Sequence, residues 1–363
     1  MARKAVVAMS GGVDSSVTAA LLKDDGYDVT GVMLKLWRGE EINTNSGCCN
    51  VGAADDARRV AAKLDIPFYV FNMAEDFERT VVRDFHDTYR AGLTPNPCIR
   101  CNQWIKFDML LERARALGAD VLATGHYARV RRARDRYRLL RGRDTNKDQS
   151  YVLWMLTQDE LEHVRFPIGE MNKTQTREVA AELELVTARK PDSQEICFVR
   201  GGDVGAYLAD NVEGADAPGP LVNSAGDVVG EHRGAARYTV GQRKGLGIAL
   251  GEPVFVTSVD TASNTVTVGA RTELACRELR AVEGCFVAEP LEPGDRVLVQ
   301  HRAHGEVAPA TFRGDDTAFE VIFDDPLEAV APGQSVALYS ISNPDELVGG
   351  GIISATVPAT AAA

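Results

Sequence analysis

The run Ser10-Gly11-Gly12-Val13-Asp14-Ser15 constrains this chain more than any other feature. A short apolar segment, Ala5 to Met9, leads into it, and a helix-patterned stretch, Ser15 to Lys23, leads out. A strand, a Ser/Gly turn and a helix N-terminus together make a cradle for an anion. Glycines let the backbone close on a phosphate, and the open N–H groups of the first helical turn point at it. The Gly-Lys-Ser/Thr ending of the other common phosphate loop is missing. The plain alternative is an ordinary glycine turn between a first strand and a first helix. Six specific residues in a strand-to-helix setting favour the cradle.

The pattern around this run sets the fold class. Apolar runs at Ala5–Met9, Val29–Leu36, Phe68–Phe71 and Val121–Thr124 read as buried parallel strands. Helical patterns lie between them at Ser15–Asp24, Gly52–Leu64, Ala74–Ala91 and Phe107–Leu117, with Gly118 placed as a C-terminal cap. This succession predicts an α/β fold with a doubly wound parallel sheet, whose ligand sits at the carboxyl ends of the strands. From Ser150 to about Gly202 the pattern is mostly helical, with a helix over Thr174–Leu185. Beyond Asp203 the chain turns to Gly, Val and short alternating runs such as Pro253–Val259, Arg296–Gln300 and Ser335–Tyr339. The expected division is a phosphate-loop domain with a helical extension over 1–203 and a small mixed central domain over 204–278. A C-terminal β-barrel over 279–355 and a frayed tail over 356–363 complete it.

At 363 residues the chain has length for two or three domains, and no segment approaches the roughly 18 to 20 apolar residues of a membrane span. The N-terminus runs straight into the phosphate loop, so a cleaved leader is not expected and a cytoplasmic location is. Seven scattered cysteines in such a chain read as thiols, metal ligands or redox catalysts rather than as a disulfide framework. A net charge of −12 argues against a surface coated for nucleic acid. One stretch departs from that: between Arg129 and Arg143 stand eight arginines and one acid, Asp135. It reads either as a contact for a phosphate backbone or as a solvated hairpin kept soluble by its charge.

Three further segments carry chemistry. Thr94-Pro95-Asn96-Pro97-Cys98-Ile99-Arg100-Cys101-Asn102 presents a CxxC on what its two prolines predict to be an extended, rigid loop. Gly125-His126-Tyr127 ends a predicted strand. Ser193-Gln194-Glu195-Ile196-Cys197-Phe198 follows Lys147-Asp148-Gln149-Ser150. The loop SGGVDS resembles the PP-loop of ATP pyrophosphatases. Together with these segments, Gly31-Val32-Met33-Leu34, Tyr238 to Gly247 and Pro332-Gly333-Gln334, the chain resembles the tRNA-specific 2-thiouridylases over nearly its whole length.

That resemblance implies ATP-dependent sulfuration of carbon 2 of the wobble uridine. AMP is first placed on the uracil oxygen, then sulfur displaces it. It implies nucleotide contacts at Ala8, Met9, Ser10, Gly11, Gly12, Val13, Asp14, Ser15, Leu34 and Gly125, with Mg²⁺ near Asp14. It implies tRNA contacts at Asn96, Pro97, Cys98, His126, Lys147, Asp148, Gln149, Arg302, Ala303 and Gln334. Cys197 would carry a persulfide and Cys101 would act as its partner nucleophile, the pair closing transiently to a disulfide. Many relatives have an aspartate where this chain has Cys98. Cys98, Cys101 and Cys197 therefore form a candidate three-thiolate set for a four-iron, four-sulfur cluster, with zinc a further reading of the CxxC. Cys276 and Cys285 read as small hydrophobes, and Cys48 and Cys49 lie in a polar loop. The implied partners are lysine, glutamate and glutamine tRNAs and a sulfur donor, either a cysteine desulfurase or a relay protein. The chain is expected to act as a monomer. The competing readings are another PP-loop thiolase or synthetase, and a non-catalytic tRNA-binding protein.

Overall fold

The computed structural model describes residues 2–36, 51–192, 196–303 and 305–359. Cys48, Cys49 and Ser193 to Glu195 lie outside the described residues. The chain forms two units. The first comprises Met1–Val81, Cys98–Gly202 and Asp345–Val348, and the second Val82–Pro97, Asp203–Pro344 and Gly349–Ala363.

The first unit is built on a parallel sheet. Its strands are β1 (Lys4–Ala8), β2 (Asp28–Lys35), β3 (Phe68–Asn72), β4 (Val121–Ala123) and, after the hairpin described below, a short fifth strand, Val164–Arg165. The spatial order is β3, β2, β1, β4, then that fifth strand, and every pairing is parallel. β1 lies in the middle, and Ala5, Val6 and Val7 are buried on both faces, which is why it reads as a continuous apolar run. Helix α1 (Val13–Asp24) and helix α2 (Val51–Lys63) follow β1 and β2. Val13 and Val17 of α1, Ala57 and Val60 of α2, and Val7, Met9, Val29, Val121 and Tyr127 share one core.

The four strands and the four helices expected among them are present, the third running from Ala74 to Arg90. Two readings are corrected. The fifth strand falls inside the stretch read as helical, since two residues carry no periodicity. The CxxC stands on a helix and not on an extended loop: Pro97 opens a helix, Pro97–Arg100, that continues through Cys101–Leu110 and Leu111–Ala116. Proline is favoured at a first helical position, where its missing N–H costs nothing and its fixed φ suits the helix. Wide π-type turns run over Cys101–Leu110.

After β4, strands β5 (Ala128–Ala133) and β6 (Arg136–Arg141) form an antiparallel hairpin. Glu346 and Leu347 add to its β6 edge, opposite Leu140 and Leu139. Helix α3 (Lys173–Glu182) starts at Asn172, whose side chain accepts from Gln175 N–H while Gln175 reaches back. This capping box sits two residues before the expected start at Thr174.

The second unit contains a four-stranded sheet and a closed barrel. The sheet comprises Gly219–Val222, Val228–His232, Phe255–Asp260 and Thr265–Gly269. Six antiparallel strands between Ala275 and Pro358 make the barrel, the first (Ala275–Phe286) closing on the last (Glu346–Pro358). The last strand runs three residues past the expected barrel end at 355, with Thr356 paired to Leu279 and Pro358 to Cys276.

Leu139 and Leu347 are both fully buried where the added strand meets the hairpin. Leu347→Ala is expected to cost about 2–5 kcal/mol of unfolding free energy. Urea denaturation measures it, and an unchanged midpoint would show that this strand is not held by packing.

Candidate active site

Between β1 and α1 the chain passes through Ser10, Gly11 and Gly12. Gly12 caps α1 with extended backbone and no side-chain cap. Consequently the N–H groups of Gly11, Gly12, Val13, Asp14 and Ser15 donate to no acceptor within the protein, among the described residues. Such a ring of open amides at the positive end of a helix is an anion site. Gly11 has φ +72°, and a Cβ there would stand 2.1 Å from the Ala53 carbonyl oxygen. Only glycine fits. Ser15 Oγ accepts from Ser10 N–H at 3.1 Å, and Ser16 Oγ donates to Gly12 O at 2.8 Å, which fixes the turn. Gly125 presses on the same helix start, since a Cβ there would lie 2.8 Å from Ser15 N.

Around this cradle is a chain of charges. Lys173 Nζ donates to both oxygens of Asp14, at 2.8 and 2.9 Å, and lies 2.7 Å from Asp192 Oδ1. Tyr127 Oη donates to Asp14 at 2.9 Å and stands 3.0 Å from Thr176 Oγ1. Burial pushes the Tyr127 phenol well up, so it stays a donor. Burial also pushes Asp192 up, but hydrogen bonds from Lys147 and Lys173 outweigh it and hold the carboxyl below its ordinary value. Lys190 Nζ bridges Gly11 O, at 2.9 Å, and Asp56, at 2.7 Å. Sequence reasoning missed Lys173, Lys190 and Asp192. One signal was available: Lys173 is the first residue of α3, where the helix dipole disfavours a cation.

Lys147, Asp148 and Gln149 divide. Lys147 joins the charge chain through Asp192 at 2.8 Å. Asp148 is turned inward, holding Arg141 at 2.8 Å, Gly142 N–H at 2.9 Å and Ser150 Oγ at 2.9 Å. Gln149 is tied to Tyr127 through both its side chain and its backbone. The last two are braces of this loop. His126 is also internal: it is 8% exposed, bonded to Thr124 Oγ1 at 2.7 Å and set between Phe107 and Phe166. Burial, then Lys106, drives its pKa far down, so it is neutral. This is the setting of a structural histidine.

Cys98 is exposed, Cys101 buried at the first of the wide turns, and Cys197 half-buried. These three, Cys276 and Cys285 are all thiols. Among the described residues no three His, Cys, Asp or Glu side chains gather closely enough to hold a metal ion. The three-thiolate set expected from Cys98, Cys101 and Cys197 is therefore not assembled.

The arginine hairpin is largely neutralised within its own unit. Arg129 pairs with Asp345, Arg138 with Glu346, Arg141 with Asp148, and Arg131 and Arg143 with Glu170. Arg132 lies over the Tyr137 ring, and Arg134 takes the turn at φ +57°. The solvated-hairpin reading fits this better than a phosphate contact.

In the second unit, Asn96 is half-buried and Pro97 buried. Gln334 donates to the carbonyls of Thr94 and Pro95, each at 3.2 Å, so its amide braces that segment. Arg302 and Ala303 are exposed on the barrel. His301 beside them is buried with neither ring nitrogen hydrogen-bonded among the described residues, and burial, then Arg302, pushes its pKa down to about 4.

Three family models match the chain: a tRNA methyl transferase HUP domain over residues 3–201, a tRNA methyl transferase PRC-barrel domain over 206–270, and an aminomethyltransferase beta-barrel domain over 277–353. The chain is 44% identical over 359 residues to the tRNA-specific 2-thiouridylase MnmA of Clostridium perfringens, covering 97% of this chain and 98% of that one. It is 47% identical to the protein of that name from Herpetosiphon aurantiacus, over 97% of this chain and 98% of that one. To the one from Moorella thermoacetica it is 48% identical, over 96% and 98%.

Gly11→Ala forces a Cβ into the Ala53 carbonyl and demands a left-handed backbone that costs an alanine about 1–2 kcal/mol. ATP affinity by calorimetry is expected to fall at least tenfold with the circular dichroism spectrum retained. Unchanged affinity would show that nucleotide binds elsewhere.

Proposed function

The chain belongs to the tRNA-specific 2-thiouridylase family, and from that premise we propose that it sulfurates carbon 2 of the wobble uridine of tRNA at the expense of ATP. It is an enzyme of the sulfurtransferase class. The observation that carries the ATP half of the reading is the cradle of five open amides at Gly11 to Ser15, ringed by Asp14, Lys173 and Lys190.

The chemistry follows from what these groups can do. A uracil oxygen is a poor leaving group. Attack of that oxygen on the α-phosphorus of ATP makes an adenylate and releases pyrophosphate, whose charge the open amides and the two lysines receive. Asp14, a half-buried carboxylate beside the cradle, is a hard oxygen donor that fits Mg²⁺, which when bound offsets phosphate charge. Tyr127 and Lys173 orient that carboxylate. The terminal sulfur of a Cys197 persulfide then attacks carbon 2, and AMP leaves. Cys101 thiolate attacks the remaining Cys197 sulfur, closing a disulfide that an external thiol must reduce. The persulfide route is preferred over a cluster because Cys98, Cys101 and Cys197 do not form a ligand set among the described residues. Arg302 and Ala303, exposed on the barrel, and the Asn96–Pro97 segment remain the tRNA contacts of this reading. A cysteine desulfurase or a relay protein supplies the sulfur to a monomeric enzyme working in the cytoplasm. No helix among the described residues is long and apolar enough to cross a membrane.

The test is an incubation with wobble-uridine tRNA, ATP, Mg²⁺ and a persulfide donor, following pyrophosphate release and 2-thiouridine by mass spectrometry. Both are expected to require tRNA. Cys197→Ala is expected to keep tRNA-dependent pyrophosphate release and lose thiolation by more than a hundredfold. Pyrophosphate release indifferent to tRNA would point to a PP-loop synthetase, and none at all to a non-catalytic binder.

A further inference from the structure

The second unit holds a glycine-rich loop, residues 241–254, that the activity above does not use. Its two ends are sewn together: Gly241 N–H donates to Val256 O at 2.8 Å and Val256 N–H to Gln242 O at 2.9 Å. The Gln242 side chain accepts from Thr239 N–H at 3.2 Å and donates to Lys244 O at 2.9 Å. Leu246 is plugged into a core with Leu221, Tyr238, Val256, Val266 and Val268, and Ile248 packs on the same core. The loop is thus anchored at both ends and in the middle.

What it presents outward is unusual. From Arg243 to Glu252, ten consecutive backbone N–H groups donate to no acceptor within the protein, among the described residues. Gly245, Gly247 and Gly251 all have positive φ, between +71° and +81°. At Gly245 to Gly247, left-handed residues on either side of an ordinary one turn successive N–H groups toward one concave side, a backbone geometry that binds anions. The loop encloses a bowl of about 420 Å³ lined by Arg243 and by Gly245 to Val254. Arg243 and the adjoining Lys244 are exposed, and no carboxylate pairs with either among the described residues. Glu252, on the lining, leaves two cations against one carboxylate.

The geometry points to a phosphate-binding site in this loop, taking a backbone phosphodiester of the RNA substrate. The assignment to RNA rests on the thiolase reading, since the chain as a whole carries a net charge of −12. The amides hydrogen-bond the phosphate oxygens, and Arg243 and Lys244 supply the charge.

The test is tRNA binding by fluorescence anisotropy between 50 and 300 mM KCl, wild type against Arg243→Ala/Lys244→Ala. Both side chains are exposed, so folding should survive, which thermal unfolding checks. Loss of the cations at this one phosphodiester is expected to weaken binding about tenfold near 100 mM salt and to flatten the log–log slope by roughly 0.7–0.9. Arg243→Lys/Lys244→Arg is expected to restore the slope, and calorimetric ATP affinity to stay unchanged. A double variant with the wild-type slope overturns the site. Backbone resonances of Gly245, Gly247 and Gly251 that move with inorganic phosphate but not with tRNA assign the bowl to a free anion and overturn the RNA assignment. A wild-type protein that binds no tRNA instead refutes the thiolase reading itself.

Discussion

The Lys173 ammonium, held between Asp14 and Asp192, is the contact on which the site depends. It stands at 13% exposure with carboxylate oxygens at 2.7 to 2.9 Å. At that burial a lone carboxylate or ammonium is costly, so each member is tenable because the others are present. The pair also closes distance in sequence: Asp14 belongs to the first turn of α1, Lys173 to the first turn of α3, and Asp192 to the segment that leads to Cys197. One ammonium therefore sets the start of the phosphate loop and the start of the cysteine segment at once. The arrangement also explains a cation at the start of α3, where the dipole alone would favour an acid.

Both anion sites use the same physics. A protein with excess acid gains little by wrapping a polyanion in arginine, because its own charge opposes the approach. Peptide dipoles carry no net charge and need only be left unpaired. At Gly11 to Ser15 a helix start leaves them open; at Arg243 to Glu252 left-handed glycines do. Unpaired amides in both places become donors when phosphate arrives.

The parallel sheet was legible because its inner strands are buried on both faces and so read as unbroken apolar runs. Val164–Arg165 was not, being too short to show a period. In sequence, Pro95 and Pro97 read as one extended segment that carries the CxxC. Only the geometry shows that Pro97 already belongs to a helix, where a proline at the first position is at home. Among the site residues, the loop Ser10 to Ser15 was legible because its chemistry is local. Asp148, Gln149, His126 and Gln334 were not, because a polar side chain near a site is a ligand contact or a brace according to what folds against it. Asp148 faces Arg141 and Ser150, and Gln334 faces Thr94 and Pro95. No local pattern encodes those partners.

The arginine hairpin shows how composition misleads about recognition. Eight arginines in fifteen positions suggest a strip for RNA, yet five of them end on Asp148, Glu170, Asp345 or Glu346. Those acids lie seven to more than two hundred residues from their arginines in sequence, so a window of local charge cannot see them. The two exposed pairs on Glu170 contribute little to stability, up to about 1 kcal/mol each. Their larger effect is to cancel a field that would otherwise attract any polyanion. Arg302, Arg243 and Lys244, by contrast, are exposed and paired with no acid among the described residues, so their charge is left uncancelled.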